Sequence, residues 1–139
     1  MSPDSDEEEE LQKILLQIRE KKRLTVEAAL NLEWLFDKRF RKAYKTVLES
    51  RAKRYDFEPG SLTTSIVVGY SREYLIIPEV SYCSCKGLYP RTVKQATSVC
   101  YHVLAYKLAE ALDTIDTVEM EIEHYDGIMA DLRAHRKSL

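Results

Sequence analysis

Apolar residues recur every three or four positions in residues 11–23, LQKILLQIREKKR, where Leu11, Ile14, Leu15 and Ile18 form one helical stripe. A Glu run precedes this stripe and a Lys/Arg run closes it, an order that suits the helix dipole. Thr25 has the chemistry of an N-cap for a second helix, over roughly Val26 to Lys53. There Leu32, Leu35, Phe36, Phe40, Ala43, Val47 and Leu48 again recur at steps of three and four. Residues 11–53 therefore predict a helical hairpin.

The period then changes. KRYDF, LTTSIVVGY and EYLIIPEVSY are rich in β-branched and aromatic residues, with Pro59-Gly60 and GYSRE supplying turns between them. They predict a small antiparallel three-stranded sheet whose last strand runs into Cys83, with Pro78 placing a kink or an edge in it.

From Ser98 onward the helical period returns. Tyr101, Leu104, Leu108, Ala111, Ile115, Val118, Ile122, Tyr125, Met129 and Leu132 alternate steps of three and four without a break. Such a run predicts a long C-terminal helix through residues 113–139, and two readings of its seam stand. Leu108, Ile115, Val118, Ile122, Tyr125, Met129 and Leu132 can face a partner chain, a second copy giving a homodimer. Alternatively, the helix packs on its own sheet and hairpin. Asp113, Thr114, Asp116 and Thr117 are weak helix formers, and TVEMEIE alternates with period two, which leaves a short strand open there. The fold class is α+β in one domain: an acidic disordered tail (1–10), the hairpin (11–53), the sheet with a cysteine-rich segment (54–112) and the C-terminal helix.

At 139 residues the chain can bury a core unaided. Its longest apolar runs are too short to cross a bilayer, so no membrane partner is expected. The start, SPDSDEEEE, has no signal-peptide pattern, and three cysteines cannot all pair, so an intracellular, reducing location is expected. The net charge of −2 hides a segregation. Lys38, Arg39, Arg41, Lys42, Lys45, Arg51, Lys53 and Arg54 crowd one stretch behind the acidic head. Within it Lys38, Arg41, Lys42 and Lys45 lie on nearby turns of one helix with Tyr44 interleaved. This strip is either a track for a phosphate backbone, such as single-stranded DNA, or a solvated outer face.

All three cysteines lie in YCSCKGLYPRTVKQATSVCYH, residues 82–102, as C-x-C-x14-C-x-H. Three thiolates and one imidazole complete a tetrahedral shell for one Zn²⁺, so Cys83, Cys85, Cys100 and His102 are the candidate ligands. In extended backbone, residues i and i+2 share a face, which lets Cys83 and Cys85 reach one ion from a strand end. Inside a helix they would diverge by about 200°. Cys100 therefore belongs at or just before the first helical turn, with Ser98 as a candidate cap. Gly87 and Pro90 let the intervening loop bring the pairs together. The competing reading is coincidental burial of inert thiols, or redox chemistry. A shell closed by four protein ligands leaves no position for water or substrate, so the zinc would be structural. Three thiolates with Zn²⁺ sum to −1, so any phosphate contact near the ion falls to Lys86, Arg91 and Lys94.

These residues resemble the SWIM zinc finger, C-x-C-x(n)-C-x-H preceded by strands and followed by a helix. His102-Val103-Leu104-Ala105 fits the extended C-x-H-x-x-A form, which is similar to the SWIM subunits of Shu-type recombination accessory complexes. LNLEWLF and SYCSC also resemble that group, over roughly residues 28–112. The resemblance implies a non-enzymatic partner of a RecA/RadA-type recombinase paralogue, acting in homologous recombination and DNA repair. It implies that Cys83, Cys85, Cys100 and His102 bind zinc and that Ala105 is the small residue on which the finger helix packs closely. Lys86-Gly87 and Tyr101 depart from the family pattern, which has Pro plus an apolar residue after C-x-C in many members and commonly a basic residue between the last two ligands.

There is no G-x-x-x-x-G-K-[ST] phosphate loop, so the chain is not expected to hydrolyse nucleotides. His124 and His135 read as surface or seam residues, and Glu119, Glu121 and Glu123 as a solvated face. Tyr70, Tyr74, Tyr82, Tyr89 and Tyr101 crowd the finger region, as interface residues or as half-buried strand residues. Three non-enzymatic functions are thus in play: the recombinase partner, an autonomous DNA- or RNA-binding zinc module, and a protein that self-associates through the seam.

Overall fold

The computed structural model describes residues 3–58, 62–86 and 99–137. Among these, helices α1 (Pro3–Lys21), α2 (Val26–Phe36) and α3 (Lys38–Leu48) come first. Strands β1 (Ala52–Glu58), β2 (Leu62–Val68), β3 (Glu73–Ile77) and β4 (Tyr82–Cys83) follow. Helix α4 (Tyr101–Leu112), strand β5 (Asp116–Glu119) and helix α5 (Tyr125–Lys137) complete the chain. None of the described helices is long and apolar enough to cross a membrane.

The α+β class holds, and the hairpin is more finely divided than the sequence predicts. Thr25 caps α2 as expected, its hydroxyl accepting the Ala28 amide at 3.1 Å. The second helix does not run on to Lys53. It breaks at Asp37, which takes a positive φ of 52°, and ends at Leu48, with Lys53 already in β1. The break keeps Phe36 and Phe40 both buried although they belong to different helices. The acidic segment, expected to be a disordered tail, is helical from Pro3 onward. Pro at the helix start loses no hydrogen bond, and carboxylates suit the first turns. Glu7 pairs with Arg39 at 3.0 Å and Glu8 with Lys107 at 3.6 Å, so the acids dock on α3 and α4.

The sheet is mixed and five-stranded, in the order β4-β3-β2-β1-β5. The expected antiparallel meander is its β1-β2-β3 centre. Pro78 opens a one-turn 3-10 helix, Pro78–Val80, after which β4 returns antiparallel to β3. The Pro59-Gly60 turn lies outside the described residues.

The predicted long C-terminal helix is corrected. It stops at Asp113, in the left-handed region, and the period-two segment forms β5, parallel to β1. The seam is thereby dispersed. Leu108 is buried in α4, Ile115 packs at the edge of the main core, and Val118 is half-buried in β5. Ile122 is exposed, while Tyr125, Met129 and Leu132 lie on α5.

Register assigns the two faces of the sheet. Ala52 pairs with Val67, Val67 with Tyr74, Ser65 with Ile76, and Ile76 with Cys83. Since side chains alternate along a strand, these residues share one face. Ala52, Val67, Ile76 and Cys83 are in the main core with Leu11, Ile18, Leu32, Phe36, Ala43, Leu104 and Leu108 from the helices. Tyr106 reaches down from α4, its hydroxyl accepting from the Ser65 hydroxyl at 2.7 Å. Thr64 and Ile66 point to the other face, where α5 lies: Thr64 meets the Met129 sulfur at 3.8 Å, and Phe57 meets Tyr125 edge-on at 5.1 Å.

Candidate metal centre

Cys83 ends β4 opposite Ile76, so its side chain projects to the helical face of the sheet. Cys85 does not extend that strand. Ser84–Lys86 form a 3-10 turn that curls it back, and its amide lies 3.5 Å from the Cys83 sulfur. Ser84 pins the turn by accepting the Leu75 amide at 3.0 Å. The expectation of two cysteines on one strand face is therefore corrected: a turn, not pleat alternation, gathers them.

Cys100 is itself the N-cap of α4, with extended φ/ψ of −79° and 166°. This is the non-helical backbone that C-x-H chelation requires, and it sets His102 in the first turn. Ser98, the expected cap, lies outside the described residues. Arg39 holds the approach by donating to the Val99 carbonyl at 2.6 Å while it pairs with Glu7.

One ligand atom from each of Cys83, Cys85, Cys100 and His102 lies within 4.8 Å of all the others, so the group can hold one metal ion. His102 Nδ1 is 3.7 Å from the Cys83 sulfur and 4.0 Å from the Cys100 sulfur. A sulfur at about 2.3 Å and a nitrogen near 2.0 Å from one tetrahedral ion would stand roughly 3.5 Å apart, so the two sulfur–nitrogen distances lie within about 0.5 Å of tetrahedral geometry. Nδ1 faces the sulfurs, while Nε2 is buried with no hydrogen-bond partner. The ring is clamped by Tyr74, stacked at 4.2 Å, and Tyr101, tilted at 4.0 Å. A Cβ at Gly69 would come within 2.7 Å of the Tyr74 ring, so glycine there permits the clamp.

The thiols are close enough to govern one another's ionisation. Hydrogen bonds with Cys83 and Cys85 drive the Cys100 thiol down, and hydrogen bonds with Cys100 and Cys85, together with burial, push the Cys83 thiol up.

Ala105 is fully buried in α4, in the main core. The basic strip is not a single surface. Arg41 hydrogen-bonds Glu33, which raises its pKa. Lys38, Lys42 and Lys45 are exposed on α3. Lys42 stands 5.5 Å over the Tyr101 ring, which ties its end of the strip to the metal centre. Lys86 sits in the 3-10 turn after Cys85, and Arg91, Lys94, Gly87, Tyr89 and Pro90 lie outside the described residues. His124 is exposed and is not one of the Cys3His group. The roles of Tyr74, Ser84 and Arg39 are not legible in the sequence; the only hint was the crowding of tyrosines near the cysteines.

Searches of protein-family models, curated proteins and solved structures found no match to the chain.

Proposed function

We propose that Cys83, Cys85, Cys100 and His102 bind one structural Zn²⁺, and that the chain is a non-enzymatic partner of a RecA/RadA-type recombinase paralogue in homologous recombination. Soft thiolates with one imidazole favour zinc over hard oxygen-seeking cations. Four protein ligands leave no open position, so bound zinc supplies rigidity, joining the sheet edge at β4 to the start of α4.

The partner reading is carried by one observation besides the SWIM-like spacing. Val26, Leu30 and Trp34 form an i, i+4, i+8 stripe on α2 that is 77%, 62% and 85% exposed. Leu30 and Trp34 belong to LNLEWLF, one of the segments that resembles the SWIM subunits. An exposed tryptophan flanked by aliphatic side chains has the composition of an interface anchor.

Metal analysis of the purified chain is expected to give one zinc per chain; much less than one would reject the metal assignment. Trp34→Ala is expected to keep zinc and fold, because the side chain is exposed. It is also expected to lose co-purification of a RecA-like ATPase from native cells. Unchanged capture by this variant would reject α2 as the docking face, and failure of the unaltered chain to capture such an ATPase would reject the partner reading.

A further inference from the structure

Beside the metal centre lies a pocket of about 100 Å³ lined by Lys42, Lys45, Arg51, Tyr70 and Tyr101. We infer that this pocket binds single-stranded nucleic acid, with Lys42 and Lys45 on the phosphodiester backbone and Tyr70 as the stacking surface for a base. The inference goes beyond the recombinase-partner reading and shares with it only the metal, which holds Tyr101 between two ligands.

The pocket is built rather than incidental. Arg51 is anchored on three sides: it donates to the Val68 carbonyl at 2.9 Å and the Thr46 hydroxyl at 3.1 Å, and pairs with Glu49 at 2.9 Å. So held, its guanidinium stands 5.5 Å over one face of Tyr70. Tyr70 is nevertheless 87% exposed, so its other face is open to a planar group. A rigidly backed, solvent-facing aromatic plane is what a splayed-out base requires.

The cations beside it differ from their neighbours on α3. Arg39 and Arg41 are committed to Glu7 and Glu33. Lys42 and Lys45 have no carboxylate partner among the described residues, and Lys42 is steered toward the pocket by the Tyr101 ring. Two lysines free of acids and one free aromatic face match a phosphate-and-base unit. A duplex presents the phosphates but keeps its bases stacked inside, so it leaves Tyr70 unused. The net charge of −2 makes this a short-range contact and not a field-driven one.

The test uses the zinc-loaded full chain and a fluorescein-labelled oligothymidylate, followed by anisotropy over a range of salt, with zinc content measured for every variant. Lys42→Ala with Lys45→Ala is expected to weaken binding about tenfold at low salt. It should also flatten the log–log salt slope by roughly 1.4, at about 0.7 per phosphate contact on a single strand. Tyr70→Ala is expected to weaken binding about tenfold with an unchanged slope, the signature of a lost stack. Lys13→Ala, on α1, is expected to change nothing. An abasic strand of equal length should bind like thymidylate binds Tyr70→Ala. The inference is overturned if the oligonucleotide fails to bind, if the Lys42→Ala/Lys45→Ala or Tyr70→Ala chains bind as the unaltered chain does, if Lys13→Ala weakens binding as much as they do, or if duplex or abasic strands bind as tightly. Trp34→Ala should keep oligonucleotide binding, so the α2 reading can fail while this site stands, and the reverse.

Discussion

The two faces of the sheet are unlike in depth. One carries α1 to α4, a continuous buried core and the Cys3His group that can hold a metal at its edge. The other carries α5 among the described residues, with Phe57 against Tyr125 and Thr64 against Met129. Both use apolar residues at helical spacing, so the spacing does not distinguish them. What differs is how many layers close over the strand, and therefore how much apolar surface each contact removes from water. The thick face should carry the stability, and the thin face should contribute locally.

The largest effect is expected at the joint between the thick face and the sheet edge. Cys100→Ala removes one of the four candidate ligands and, with zinc bound as proposed, the link between β4 and α4, and should lower the melting temperature by on the order of 10 °C or more. An unchanged melt at full zinc occupancy would show that the joint carries no load. Next, Leu104→Ala, at a fully buried site on α4, should cost about 3–4 kcal/mol, while Leu132→Ala on α5 should cost about 2 kcal/mol. Chemical denaturation of both variants measures the difference. Equal losses would erase the distinction between the faces.

The smallest expected effect probes the span between α4 and β2. Tyr106→Phe removes the hydroxyl contact with Ser65 and should cost about 1 kcal/mol at neutral pH. Burial raises the Tyr106 hydroxyl above its ordinary value of 10.0, so the folded state favours the neutral form. That preference acts fully below pH 10 and is lost as pH rises through the raised value. Stability curves should therefore fall less steeply above pH 10 in Tyr106→Phe than in the unaltered chain. An identical alkaline slope would mean that this hydroxyl is not held neutral by the fold.

The same contrast explains what could be read in advance. The Cys3His group was legible because one-residue spacings keep each pair close in space whatever the local backbone, a 3-10 turn at Cys83 and Cys85 and an extended N-cap at Cys100. The first helix stripe, the Thr25 cap and the β1-β2-β3 meander were legible for the same reason, each being decided within a few residues. The run from Tyr101 to Leu132 misled because its step of three and four survives across a strand. Leu108 and Leu132 sit seven-residue multiples plus a remainder apart on paper, yet they pack on opposite faces of the sheet. The weak helix formers at Asp113 to Thr117 were the better guide.

The sequence by itself determined the Cys83, Cys85, Cys100 and His102 group, the α+β class, the first helix stripe and the β1-β2-β3 meander, because those choices rest on short-range spacing and backbone preference. Only the tertiary structure decided that the acidic head docks on Arg39 and Lys107, that β5 joins β1 in parallel, and that Lys42, Lys45, Arg51, Tyr70 and Tyr101 meet in one pocket. Those are contacts between residues distant in the chain, and they are settled by which faces can be buried together.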